Sequence, residues 1–208
     1  MDGRCRKLSP PTSKQVRRRT IVRTHHLKFT SHRLTGFWDL GHKLFRTRPE
    51  TYPAKFLAGD VFDETHLSPT TPVPCGSPPP IASVNSLTEL RGHISVIYAS
   101  FLFHLFNEEK QFELGKRLAG LLDRRPGCII FGSHSAAPVK GQRSDPFTKM
   151  FCHSPESWTQ MWEEQIFGKG QVKVNTVLNE LSVTAEGIVV PTGGGTKFYW
   201  LAWSVERL

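Results

Sequence analysis

A chain of 208 residues with 38% hydrophobic content suits one domain with a core, plus extensions. Its net charge of +9 resides in residues 1–35, where ten Lys/Arg face only Asp2; the rest balances, so nucleic-acid binding by the globular part is not expected. No apolar run reaches the roughly 18 residues a membrane helix needs, and the N-terminus shows no apolar signal core, so neither a membrane span nor a secretory signal is expected. Cys5, Cys75, Cys128 and Cys152 lack the paired spacing of a zinc site. They read as free thiols in a reducing compartment, with the cytosol expected.

Residues 1–26 carry Pro10-Pro11 and Arg17-Arg18-Arg19 without apolar periodicity. They read as a solvated, disordered tail, with a nucleic-acid arm or an Arg-rich presequence as alternatives. Leu27–Ser31 suggests a short strand that opens the domain, which runs over 27–208. Phe37–Phe45 reads as a helix, and Phe56–Val61 as a strand ending in Asp60-Val61-Phe62-Asp63. Thr65–Ser86 is a Pro/Ser/Thr-rich connection, with a helical turn near Ser86–Leu90.

The centre of the chain is Ile94–His134. Ile94–Tyr98 is a β-branched apolar run, the pattern of a buried parallel strand. Asn107 can cap a helix, Glu108 and Glu109 suit its first turn, and Leu114, Leu118, Leu121 and Leu122 recur at helical spacing. Pro126-Gly127 stops it, and Cys128–Phe131 is a second buried strand. A strand–helix–strand unit of this kind makes the two strands parallel, and ligands of such sheets sit beyond the strands' carboxyl ends, here Ala99–Phe106 and Gly132–Ala136. Ser135–Pro146 reads as a polar loop. Ser154-Pro155 starts a further helix, with Trp158, Met161 and Trp162 on one face. Val172–Leu178 and Phe198–Val205 are strands joined by a turn at Gly193–Gly195, an antiparallel hairpin closing one edge.

The whole pattern is α/β, with a terminal antiparallel hairpin. Four segments carry a closer likeness: Phe56-Leu-Ala-Gly-Asp60-Val-Phe-Asp63, Leu90–Phe106, Pro126–Gly132 and His153–Trp158. In these the chain resembles the class I S-adenosylmethionine-dependent methyltransferases of fungal meroterpenoid biosynthesis. The resemblance implies a Rossmann-like sheet and S-adenosylmethionine as cofactor. It further implies methylation of an oxygen, a carboxylate, on a terpenoid–polyketide acceptor, and allows a homodimer. It places Asp60 at the adenine amino group, with Val61 and Phe62 as the wall of the purine site and Ala99, Ser100 and Phe101 along the cofactor. His104 is either a packed histidine or a general base beside the acceptor oxygen. His153 and Trp158 line the acceptor pocket in the functional reading and belong to the core in the structural one. The pattern departs from the family at two points. The first strand with its Asp-x-Gly-x-Gly loop is missing, and His32 stands where an acid should bind the ribose. The sequence therefore also admits a truncated, inactive homologue, or a basic-tailed nucleic-acid binder.

Overall fold

A computed structural model describes residues 21–23, 33–48, 50–51, 55–69, 76–144, 149–183, 189–190 and 196–208. The expected strand at Leu27–Ser31, most of the basic tail and the Gly193–Gly195 turn lie outside them.

The first described strand, β1 (Ile21–Arg23), falls within the segment read as tail. It pairs in parallel with β2 (Val96–Tyr98), Ile21 opposite Val96. Helix α1 (Arg33–Phe45) covers the expected Phe37–Phe45 helix and closes on Arg46, whose φ of 51° lets Thr47 N–H reach the His42 carbonyl at 3.0 Å. Its Trp38 ring stacks on Phe56 at 5.2 Å.

The expected strand at Phe56–Val61 is absent. Residues 55–60 form an irregular segment leading into turns over 61–66. Two side chains explain it. Asp60 Oδ1 accepts from the Phe62 N–H at 2.9 Å and bends the chain. The His66 ring lies where a Cβ on Gly59 would stand, which fixes the segment against its own return. The turn expected near Ser86–Leu90 is present as a 3-10 helix, Leu87–Leu90, behind a capping box of Ser86 and Glu89.

The central unit follows the sequence closely. Asn107 Oδ1 accepts from Lys110 N–H, and α2 (Glu108–Leu121) buries Leu114, Leu118 and Leu121. It leads into β3 (Ile129–Ala136), parallel to β2 with Ile97 opposite Ile130. The expected loop after β3 instead contains a small hairpin. In it β4 (Gly141–Ser144) pairs antiparallel with β5 (Lys149–Cys152). Helix α3 (Pro155–Gln160) starts on its Ser154 cap and widens into a π-helical turn, Met161–Ile166. The long strands β6 (Val172–Val183) and β8 (Thr196–Arg207) pair antiparallel along their whole length, with β7 (Val189–Val190) beside β6.

The sheet order is β1-β2-β3-β8-β6-β7, three parallel strands followed by the antiparallel hairpin strands. The result is a mixed α/β fold. Alternation along the strands defines the core face. Ile97, Ile130, His134, Leu201, Trp203 and Val205 are buried there, under α2, α3 and the π turn, whereas Phe131, on the opposite face, is 37% exposed. Among the described residues no helix is long and apolar enough to cross a membrane.

Candidate functional site

The carboxyl ends of β2 and β3 meet at a close backbone crossing. Ala99 N–H donates to the Phe131 carbonyl at 2.9 Å and Phe101 N–H to the Ser133 carbonyl at 2.8 Å. Gly132 lies between these bonds. A Cβ there would stand 2.6 Å from the Ala99 carbonyl carbon and closer still to its oxygen, so only glycine fits. Ser100 is turned into β3. Its hydroxyl is 2.7 Å from the Ser133 hydroxyl and also accepts from Ser133 N–H at 3.0 Å. Phe101 then takes a φ of 55°, a left-handed conformation that costs a non-glycine residue about 1–2 kcal/mol. The turn throws its ring outward, 50% exposed, against Trp200 at 4.5 Å. His104, on the 3-10 turn Phe103–Leu105, is half-buried between Phe101 (6.5 Å) and Trp200 (6.3 Å).

A second loop, 60–69, lies alongside. Asp60 is half-buried and spends one carboxylate oxygen on the turn at Phe62. The Phe62 ring meets Phe106 edge-on at 5.0 Å and carries the Lys110 ammonium 4.4 Å from its centre. The structure therefore brings the Asp60–Phe62 turn next to the 99–106 segment and the N-terminus of α2. Val61, expected at the purine wall, instead faces the core at 1% exposure, and Ala99 is equally enclosed.

The 60–69 loop is held by two buried guanidinium groups. Arg117 Nη1 donates to the Leu67 carbonyl, while its Nε and Nη2 hold Glu113 at 3.0 and 2.7 Å. Arg91 donates to the Ser68 carbonyl at 2.7 Å and to the Pro69 carbonyl at 3.4 Å. Burial and the neighbouring Arg117 cation both push the Arg91 pKa down. Gly120 on α2 leaves room for the Arg91 head group, which sits where a Cβ would be.

Behind the rim is an aromatic cage. Trp158 is fully buried, with Phe103 at 4.9 Å, His134 at 4.4 Å, Trp203 at 5.0 Å and His153 at 5.4 Å. Trp158 belongs to the core, with no surface to offer an acceptor. His153, 3% exposed, is likewise enclosed, its Nδ1 2.9 Å from the Ser157 hydroxyl. Burial, with the Lys140 cation, pushes its pKa down to about 4. His134 is the residue that sequence reasoning passed over. Its Nδ1 accepts from the Trp203 indole N–H at 2.9 Å, and burial, with His104 and His153 nearby, holds it neutral far below the usual histidine range. Only the chain's return 69 positions later supplies its partner, so no local signal marks it. Among the described residues no cluster of three His, Cys, Asp or Glu is placed to hold a metal.

The arrangement offers a carboxylate beside an aromatic pair, a strained loop with an outward phenyl ring, and an imidazole on the same rim. Among the described residues its rim shows no nucleophile–base pair; the His153–Ser157 pair lies enclosed behind it.

No protein-family model matches the chain. The sequence is 33% identical over 131 residues to the O-methyltransferase phiE of a fungal species (strain ATCC 74256), covering 62% of this chain and 37% of that protein. It is 26% identical over 130 residues to the methyltransferase trt5 of Aspergillus terreus, covering 62% and 40% respectively. It is 25% identical over 131 residues to the asnovolin E/chermesin D methyltransferase nvfJ of Aspergillus novofumigatus, with the same two shares. The chain spans about two fifths of the length of these curated relatives. By sequence it is similar to fungal methyltransferases, across 62% of its own residues.

Proposed function

We propose that the chain carries part or all of the site for methyl transfer from S-adenosylmethionine to a carboxylate oxygen of a terpenoid–polyketide acceptor. The observation that supports it best is the meeting of the Asp60–Phe62 turn with the 99–106 segment, in a chain whose relatives are named methyltransferases. The residues present fit a purine with an exocyclic amine: one Asp60 oxygen caps its own turn, the other can accept from the amine, and the Phe62–Phe106 pair gives an apolar wall. S-adenosylmethionine, when bound, supplies an electrophilic sulfonium methyl group. The chain's own contribution is placement and exclusion of water. Phe101 and Trp200 form an apolar lip on the rim, and His104 stands between them to orient or deprotonate an acceptor. A carboxylate is already an anion near neutral pH and needs no strong base, which agrees with a rim that holds one imidazole and no catalytic pair.

The test is isothermal calorimetry of the full chain with S-adenosylmethionine and with its demethylated product, for the wild type, Asp60→Asn and Asp60→Ala. Binding that weakens about tenfold or more in both variants supports the reading, since each removes a charged acceptor. Asp60→Asn retains an oxygen for Phe62 N–H and so keeps the wild-type melting temperature. Absence of heat at millimolar ligand, or affinity indifferent to Asp60, overturns it.

A further inference from the structure

The opposite end of the sheet holds a second concavity, of about 330 Å³, lined by Lys116, Arg124, Arg207, Leu122, Ile166 and Phe167 together with the α2 backbone near Gly120. It lies at the amino end of β3, because Arg207 N–H donates to the Cys128 carbonyl at 2.8 Å and Gly127 N–H to the Arg207 carbonyl at 2.9 Å. The methyl-transfer site is at the carboxyl ends of the same strands.

Three cations line this hollow, and no carboxylate does. Asp123, next to Arg124 in the chain, is engaged by Arg125 at 2.7 Å, and Glu206, next to Arg207, alternates onto the other face of β8. The Arg207 guanidinium is laid over the Phe167 ring, 4.4 Å from its centre, and its Nε is buried with no hydrogen-bond partner among the described residues. Burial and the nearby Arg124 cation push the Arg207 pKa down. Two guanidinium groups that repel each other, a lysine beside them and an aromatic floor make a hollow that an anion would complete. The floor of Ile166 and Phe167 adds a requirement for apolar bulk.

The geometry points to a binding site for an amphipathic organic anion, a phosphate or carboxylate head on a short apolar body. The head group would lie between Arg207, Arg124 and Lys116, and the body against Phe167 and Ile166. This site does not depend on the methyl-transfer reading and shares no residue with it.

The experiment is calorimetric titration of the full chain with octyl phosphate below its micelle concentration, against octanol and inorganic phosphate. Octyl phosphate is expected to bind at least tenfold more tightly than either, since octanol lacks the charge and phosphate lacks the apolar body. Arg207→Met keeps an apolar stem over Phe167 and is expected to weaken binding about tenfold. Arg124→Gln, at an exposed position with no hydrogen-bond partner among the described residues, is expected to weaken it severalfold. Equal binding of octanol, or octyl phosphate affinity unchanged in Arg124→Gln and Arg207→Met, overturns the proposal. S-adenosylmethionine titration of the same variants reports separately on the other site and is expected to be unchanged.

Discussion

Replacing Gly132 with alanine tests whether the crossing of β2 and β3 is as tight as described. The added methyl would stand 2.6 Å from the Ala99 carbonyl carbon and 3.2 Å from the Ser100 nitrogen. A carbon normally keeps about 3.3 Å or more from a carbonyl oxygen, so the strands must part by on the order of 1 Å. The obstructing atoms are main chain and cannot swing aside as a side-chain end would. Parting weakens the two bonds that flank Gly132, from Ala99 to Phe131 and from Phe101 to Ser133. At about 1–1.5 kcal/mol for each, plus lost packing, the cost is ~3 kcal/mol. For a chain of this size that lowers the melting temperature by roughly 6–12 °C. Urea unfolding followed by circular dichroism measures it. Gly141→Ala is the control, because a Cβ at Gly141 meets nothing within 4 Å, and its effect should stay within about 0.5 kcal/mol. A Gly132→Ala protein as stable as that control would show the strands are not pressed together at this point.

Three more outcomes follow from the buried groups. His153 titrates near 4 in the folded chain and near its ordinary 6.5 when unfolded, so between those values the unfolded state holds the extra proton. Stability is then complete above about pH 6.5 and falls as pH drops towards 4, by roughly 3 kcal/mol from this group, with His134 adding in the same direction; His153→Leu should flatten that part of a stability–pH curve. Arg117→Met strands the Leu67 carbonyl and leaves Glu113 to Lys110 alone, and should cost about 2–4 kcal/mol in urea unfolding. Asn107→Ala removes the α2 cap and should cost about 1 kcal/mol by the same measurement.

The central unit was legible in the sequence because its signals are local. The Asn107 cap, the leucine spacing and the two β-branched runs each act within a few residues, and each is present in the fold. The Phe56–Val61 segment misled because its apolar content is the same for a strand and for a buried irregular loop. The deciding contacts, Asp60 with Phe62 and Gly59 with His66, are turn chemistry rather than periodicity. The β4–β5 hairpin gave no signal because β4 is polar and β5, although it buries Phe151 and Cys152, is too short for alternation to show. In the site, the Asp60–Phe62 turn and the rim from Ala99 to His104 were visible as sequence motifs. His134 was not, nor were Arg91 and Arg117, because a buried polar residue is recognised by its distant partner and not by its neighbours.

The arginine latch on the 60–69 loop grips main-chain oxygens at Leu67, Ser68 and Pro69. Such a hold is blind to the identity of the residues it secures. Whatever side chains stand at 67–69, that grip on the path remains, whereas the bend upstream rests on the Asp60 carboxylate and the His66 ring themselves.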